Sequence, residues 1–386
     1  MIKILVVGYG SIGRIHVDNF LEFKDVRIIV YTKRNDLQAL KKKGIKISNS
    51  LTECLKENPD VGIIANETSL HVPIAIKLAK EGLDLFLEKP LSNSLKDIEK
   101  LRRIVKKKKL ITQIGCNLRF HSCMKKIKSL IEQQKIGKII SVQVHNSSYL
   151  PDSHLWEDYR KSYAARKDLG GGVILTNAIH EIDYMYWFFK EVKNVLSISG
   201  KFSDLEVTAE DYVSSLLKFK NKIIGELHLD YFQRPNFRSC KIRGTKGEIY
   251  WNSDNNCVNI YNMKKKKWET KFDTGFSHNL DTYSSYVEEL RHFLKCVKNR
   301  KETVHSRRSL SLHSAIGSAA IMRVSHIFWA FSRIKQTIYM HFNGTLYLLK
   351  QYIYVKKNKR VLKHQFLAQI EPFNPALATY DHRGRH

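Results

Sequence analysis

The sequence predicts an α/β fold in two parts. A doubly wound parallel sheet is expected over residues 1–119, then an α+β part over residues 120–302 with an open, mostly antiparallel sheet. Three observations predict it. Up to Gly115, short apolar runs alternate with helical periodicity, as crossover units of a parallel sheet require. A glycine-rich turn joins the first apolar run to the first helix. Beyond Phe120, strands follow one another through short turns, as antiparallel strands do.

The elements follow in order. Ile2–Val7 is an apolar run with β-branched content, and Ile12–Phe23 has helical spacing. Val26–Tyr31 is the second strand. Asn35–Lys43 reads as a helix stopped by Gly44. Val61–Ala65 is a third strand, and Pro73–Lys80 a helix stopped by Gly82. Leu83–Leu87 and Leu110–Gly115 are the fourth and fifth strands, with a helix over Ser94–Lys108 between them. In the second part a helix over Ser122–Gln134 leads into the alternating strand Lys138–Ser147. A polar loop and another helix follow. Strands are then expected at Val195–Phe202, Tyr212–Phe219, Lys222–Phe232, Arg238–Arg243, Glu248–Asn252 and Cys257–Tyr261, with tight turns at Asn221-Lys222 and Thr245-Lys246-Gly247. Leu280–Val297 closes this part as an amphipathic helix.

Composition narrows the class. The chain has 386 residues, 43% of them apolar, enough for sizeable cores in more than one domain. Met1 runs straight into Ile2–Val7, so no secretory signal is expected. The uncharged stretch Gln336–Leu349 is too short to span a bilayer, so no transmembrane segment is expected. Six cysteines without any C-x-x-C pair read as reduced packing thiols, which argues for a cytoplasmic location and against a structural metal. The formal charge of +29 fits either solvated lysine-rich faces or an anionic partner. Residues 303–386 form an atypical basic tail, in which no Asp or Glu occurs from Thr303 to Ile370. A membrane-surface or nucleic-acid role for this tail is an alternative, but no nucleic-acid partner is expected.

The glycine turn carries chemistry. Gly8-Tyr9-Gly10-Ser11-Ile12-Gly13 fits G-x-G-x-x-G and lies between a strand and a helix, the context that gives this pattern meaning. Gly8 permits the tight turn, Gly10 lets the backbone approach a pyrophosphate, and Gly13 allows close helix–strand packing. The N–H groups of Ser11 and Ile12 then open the helix toward the pyrophosphate. A Rossmann-type NAD(P) site is expected. At the end of the second strand, Thr32-Lys33-Arg34 stands where NAD sites carry an acid. Two cations and a hydroxyl suit a ribose 2′-phosphate, so NADP is expected, with NAD possible.

Two further motifs sit at informative places. Glu88-Lys89-Pro90 follows the fourth strand, at the carboxyl edge where ligands bind in parallel sheets. Gly170-Gly171-Gly172 precedes a helical run through Thr176-Asn177-Ala178-Ile179-His180-Glu181-Ile182-Asp183. Asp183, three residues on, shares a helical face with His180 and is a candidate to orient its imidazole.

With Gly115-Cys116-Asn117-Leu118-Arg119-Phe120 added, the first 300 or so residues resemble the Gfo/Idh/MocA oxidoreductases, the glucose-fructose oxidoreductase and inositol dehydrogenase group. The resemblance implies a Rossmann domain followed by an α+β domain whose open sheet commonly forms a dimer or tetramer interface. It implies that Lys89 and His180 line the active site, and that Glu88, Asn66 and His71 lie near the cofactor. It also brings Arg119, Thr176 and Asn177 toward the substrate. Many members carry an acid where Thr176 stands, and often a proline where Glu67 stands.

The residue types suit hydride transfer at a carbinol carbon. A base of near-neutral pKa takes the hydroxyl proton, and His180 fits that task. An ammonium at Lys89 stabilises charge developing on the same oxygen. The plainer alternatives are a satisfied core histidine and a solvated strand-end lysine. The loop Asn146–Arg166 offers Trp156, Arg160 and Tyr163 to a sugar or nucleotide-sugar, or else packs between subunits. The expected function is thus an NAD(P)-dependent dehydrogenase or reductase acting on a sugar-like substrate, possible in cell-surface glycan synthesis. The alternative is a non-catalytic NAD(P)-binding regulator of the same fold.

Overall fold

The computed structural model describes residues 1–34, 37–153, 155 and 157–304, together with strand segments 338–342, 345–352 and 367–372. In the first part β1 (Ile2–Val7) leads to α1 (Ser11–Leu21), β2 (Val26–Tyr31), α2 (Gln38–Lys42), β3 (Lys46–Ser48), α3 (Leu51–Leu55) and β4 (Val61–Ile64). Then come α4 (His71–Glu81), β5 (Asp84–Glu88), α5 (Ile98–Lys108) and β6 (Thr112–Gly115). The strands pair in parallel in the order β3-β2-β1-β4-β5-β6. Ile4, Leu5, Val6 and Val7 are all fully buried, so both faces of β1 are covered. A strand buried on both sides must read as a continuous apolar run, which is how β1 announces itself in sequence.

Glycine stops the helices as expected: Gly44 and Gly82 take the left-handed conformation, at φ +72° and +96°. The expected five-strand sheet gains a sixth member in β3. Three partly exposed residues give no periodic signal, and α3 after it is held by Ser50, whose hydroxyl accepts the Glu53 N–H. The helix expected from Ser94 begins only at Ile98.

The second part contains α6 (Ser122–Glu132), β7 (Ile139–Tyr149), α7 (Ile179–Phe189), β8 (Val192–Gly200), β9 (Tyr212–Phe219) and β10 (Ile224–Asp230). It continues with β11 (Phe232–Gly244), β12 (Gly247–Asn252), β13 (Cys257–Asn262), β14 (Lys267–Asp273) and α8 (His278–Lys298). The eight strands run in the order β14-β13-β12-β11-β7-β10-β9-β8. All neighbours are antiparallel except β7 and β10. The edge strand β14 is missing from the sequence reading because its exposed residues carry no apolar alternation.

One face of this sheet packs on α6 and α7: Val142, Val144, Leu227, Leu229, Cys240 and Ile242 join Met124, Ile127, Met185 and Phe188 in one core. Alternation along each strand sends His145, His228 and Lys241 to the other face. Helix α8 returns to the first sheet, where Leu290 and Phe293 are fully buried against Ile4, Val6 and Phe86. Each such side chain contributes about 1.5–3 kcal/mol by leaving water. This return places the start of α8 beside the second sheet while its end closes the first. Strands β15 (Ile338–Phe342), β16 (Thr345–Tyr352) and β17 (Leu367–Pro372) form an antiparallel sheet in a separate compact unit. No described helix is long and apolar enough to cross a membrane.

Candidate active site

The order β3-β2-β1-β4-β5-β6 reverses direction between β1 and β4, and the crevice at their carboxyl ends is where such sheets bind ligands. Gly8 follows β1 with φ +97°, and a Cβ there would meet the Ala65 carbonyl oxygen and Asn66 nitrogen at 2.8 Å. A Cβ on Gly13 would lie 2.3 Å from the Gly8 carbonyl oxygen. These two glycines let the turn fold onto itself and onto the end of β4. Gly10 differs: a Cβ there meets nothing within 4 Å. It caps α1 with no side chain bonded to the first-turn N–H groups. Open space over Gly10, faced by free helix N–H groups, is a cradle for a pyrophosphate. Across the crevice both side-chain polar atoms of Asn66 are buried without a partner, as a residue awaiting a ligand would be. At the end of β2, Thr32 is buried and its hydroxyl accepts the Arg34 N–H at 3.2 Å. The side chains of Lys33 and Arg34 are exposed. These residues fit a dinucleotide.

Next to the crevice, Lys89 reaches across to the second part of the chain. Its Nζ donates to the Thr176 carbonyl at 2.7 Å. Residues Ile174–Ala178 form a π-helical turn that runs straight into α7, so His180 lies just beyond. Such turns are rare and recur at functional sites. The His180 Nδ1 is buried without a partner. Burial pushes the imidazole well below its usual 6.5, and the positive charges of Lys89 and Arg238 push the same way. The ring is therefore neutral at neutral pH. Lys89 and His180 thus act on each other electrostatically, although remote in sequence.

The glycine triplet serves backbone packing. A Cβ on Gly171 would lie 2.0 Å from the Tyr163 carbonyl oxygen, and one on Gly172 would meet Glu210 Oε1 at 2.2 Å. Gly171 is packed on the backbone of the loop before it and Gly172 on the Glu210 side chain, so both meet protein atoms at close range.

Several expected site residues are engaged elsewhere. Asp183 was expected to orient His180, but its Oδ1 and Oδ2 accept from Arg119 Nη2 at 2.7 Å and Nε at 2.8 Å. Arg119 was expected on the substrate. It is instead 9% exposed, bidentate on Asp183, and its Nη1 faces the Val304 carbonyl at 3.4 Å. Glu88 does not face the crevice: its Oε1 lies 2.7 Å from His16 Nε2 of α1, both side chains buried, and its Oε2 accepts its neighbour's N–H. His71 offers no free nitrogen to a cofactor. Its Nδ1 faces the Pro90 carbonyl and its Nε2 the Asn66 carbonyl, both at 2.9 Å. It ties the Glu-Lys-Pro loop to the loop after β4. The Thr176 hydroxyl is buried, bonded to the Gly172 carbonyl and to the Tyr231 hydroxyl, so only its carbonyl serves the site.

In the polar loop, Arg160 is half exposed and bridges Asp158 and Glu206. Tyr163 is 40% exposed. Asn177 is partly exposed. Trp156 lies outside the described residues.

The sequence reading missed Arg238 and Asn146. Register places them opposite each other on β11 and β7, facing α7. Arg238 Nε and Nη2 donate to Glu181 Oε1 at 2.7 and 2.6 Å, and Asn146 Nδ2 to the same oxygen at 3.2 Å. Glu181 is fully buried beside His180, with its Oε2 unpartnered. From this pair opens a cavity of about 390 Å³ whose lining includes Asn146, Ser148, Asn236, Arg238 and His278. Burial, with Arg238 and His121, pushes His278 down to about 3, so its ring is neutral. Neutral donors and acceptors dominate this wall. The only sequence signal for it was strand alternation on β7 and β11.

With this geometry in view, the similarities to known proteins are informative. Residues 2–116 match the family described as oxidoreductase family, NAD-binding Rossmann fold, and residues 124–250 match the GFO/IDH/MocA C-terminal domain. The chain is 26% identical over 331 residues to myo-inositol 2-dehydrogenase of Thermotoga maritima, which covers 82% of this chain and 95% of that protein. A crystal structure of a probable dehydrogenase from Thermotoga maritima aligns with a TM-score of 0.68 at 25% identity, over 83% of this chain and 96% of that one. Levoglucosan dehydrogenase in complex with NADH shares the fold, with a TM-score of 0.73 at 18% identity, over 84% of this chain and 97% of that one.

Proposed function

Since the chain belongs to the Gfo/Idh/MocA family of NAD-binding oxidoreductases, we propose that it moves a hydride between a nicotinamide and a carbinol carbon of a sugar-like or cyclic polyol substrate. One observation carries the reading: Lys89, at the crevice edge of the first sheet, is bonded to the turn that presents His180. Two reactive groups from remote stretches converge beside an empty-sided glycine turn. The relative named myo-inositol 2-dehydrogenase supports the substrate class.

Gly8, Gly10, Gly13 and the first turn of α1 would hold the pyrophosphate, Asn66 would offer its unpartnered amide to the cofactor, and Thr32, Lys33 and Arg34 would meet the adenosine ribose. The bound cofactor supplies a hydride acceptor or donor. The chain supplies the rest. In oxidation the neutral His180, whose Nδ1 is buried, takes the substrate hydroxyl proton on its accessible Nε2. An ammonium has three N–H donors, and Lys89 gives one to the Thr176 carbonyl. Two remain to hold the substrate oxygen as its charge develops. In reduction a protonated His180 returns the proton to that oxygen while Lys89 holds it. Asn146, Asn236, Ser148 and Arg238 offer hydrogen bonds to the other hydroxyls of a polyol, whose neutral character matches the wall. The open face of the second sheet is the surface on which we place a homo-oligomer contact.

The test is turnover of NADPH or NADH with a panel of keto-sugars and keto-inositols, and of the oxidised cofactors with the matching polyols. Tight cofactor binding without turnover on any of them would favour the regulator reading instead. The pH profile adds a second test. Because burial and two neighbouring cations lower the His180 pKa, the base stays unprotonated as pH falls through 6.5. The acid limb of kcat/KM for oxidation is therefore expected below 6.5. A limb at or above that value contradicts His180 as the base.

Cofactor preference follows from the exposed pair after β2. NADPH is expected to bind more tightly than NADH. Arg34→Ala is expected to raise KM for NADPH by about ten- to a hundredfold while leaving NADH unchanged, since one charge-assisted hydrogen bond contributes about 1.5–3 kcal/mol. Equal effects on both cofactors would remove the 2′-phosphate assignment.

A further inference from the structure

The open face of the eight-stranded sheet carries a cluster with no part in hydride transfer. Register sets His145 of β7 directly beside His228 of β10, and Asp230 lies two residues further on the same face. Their rings are 4.9 Å apart between centroids and tilted by 41°. One nitrogen from each imidazole and one Asp230 oxygen all lie within 4.8 Å of one another. The carboxylate is already oriented. Its Oδ1 accepts the N–H groups of Phe232 and Gln233 at 3.0 and 2.9 Å, which turns Oδ2 toward His228 Nε2 at 3.0 Å. Gln233 adds a carbonyl oxygen 2.8 Å from His145 Nε2. Both imidazoles line a cavity of about 370 Å³ on this face, together with Gln143 and Glu226. In the single chain an ion can reach the two imidazoles; in the homo-oligomer proposed above the cluster lies at the contact between copies.

We propose that His145, His228 and Asp230 form a binding site for a divalent cation of the zinc class. Two imidazoles and one carboxylate are zinc ligands, whereas calcium and magnesium ask for oxygen alone. Tetrahedral bonds of about 2.0–2.1 Å bring ligand atoms to roughly 3.3–3.5 Å of one another, a closure that small ring rotations supply. The Gln233 carbonyl or water fills the fourth position. Binding takes a neutral imidazole and a charged carboxylate, and the ion replaces the hydrogen bond between His228 and Asp230. It cross-links β7, β10 and the corner into β11. The site faces away from His180: Asn146, next to His145, points to the opposite face and bonds Glu181. Sequence offered no hint of this cluster, because its ligands come from separate strands and not from a spaced motif.

The experiment uses the full chain, stripped of metal by chelator dialysis and titrated with Co²⁺, then competed with Zn²⁺. One cobalt per chain is expected, with the intense visible absorption of a tetrahedral nitrogen and oxygen site that zinc abolishes. His145→Gln/His228→Gln is expected to weaken binding about 100-fold or more. His228→Gln alone, with its partly exposed side chain, provides the same readout should the double variant fold poorly. Neither variant touches the hydride-transfer residues, so NAD(P)-linked turnover stays at the parent level whether or not the metal site exists. Absence of binding, weak absorption of an octahedral adventitious ion, or binding that survives His228→Gln each overturns the proposal. The last outcome includes capture at the buried His121, Cys123 and Asp281 group.

Discussion

Lys89→Met lowers kcat by about 10²–10³-fold and leaves the melting temperature close to that of the parent. The magnitude is that of removing one preorganised donor to an oxygen that becomes charged. The small structural cost follows from what Lys89 does at rest: it gives one hydrogen bond, to the Thr176 carbonyl. The thioether chain of methionine keeps the packing of the lysine stem. The substitution also removes one of the two cations that lower the His180 pKa, so the acid limb of the pH profile moves upward. A structural lysine would change stability and not the profile. His180→Asn costs about 10²–10⁴-fold, the usual worth of a positioned general base. The double variant is expected to be little worse than the poorer single one, because the proposed mechanism has the two groups act on one oxygen. Multiplicative losses would mean that they act in separate steps.

Asp183→Ala is the largest stability change expected, about 3–5 kcal/mol. Arg119 is buried and bidentate on this carboxylate, and its remaining bond is to the Val304 carbonyl at 3.4 Å. Removing the acid leaves a buried guanidinium without its counter-charge, which costs more than the pair contributes when intact. Urea unfolding measures this directly. Asp183→Asn keeps one acceptor and is expected to lose less. If Asp183→Ala instead abolishes turnover at unchanged stability, the carboxylate orients the imidazole after all. A matched loss on Arg119→Ala, coupled to Asp183→Ala in a double-mutant cycle, would identify the pair as structural.

Much of the architecture was legible in the sequence. Residues 4–7, 28–30 and 61–64 are buried on both sides, so apolar runs reported their strands directly. The glycine turn was legible because Gly8 and Gly13 have no room for a Cβ and Gly10 opens onto the space suited to a pyrophosphate. Strands β3 and β14 were not legible, since short or exposed edges need no apolar face. Arg238 was hidden for another reason. It lies near the middle of a long strand, and alternation cannot say that an inward arginine has a buried carboxylate to meet.

The positions of the reactive groups were determined by the sequence itself. A lysine directly after a parallel strand lies at the ligand edge, and a histidine after a glycine triplet starts a helix. Partner choice was decided by tertiary structure alone. Asp183 meets Arg119, 64 residues away; Glu181 meets Arg238, 57 away; Lys89 meets the Thr176 carbonyl, 87 away. Helical periodicity places both acids of α7 near His180 and says nothing of which cation each will find. That depends on how α7 packs between the second sheet and the carboxyl ends of the first, because Coulomb energy follows distance in space and not separation along the chain.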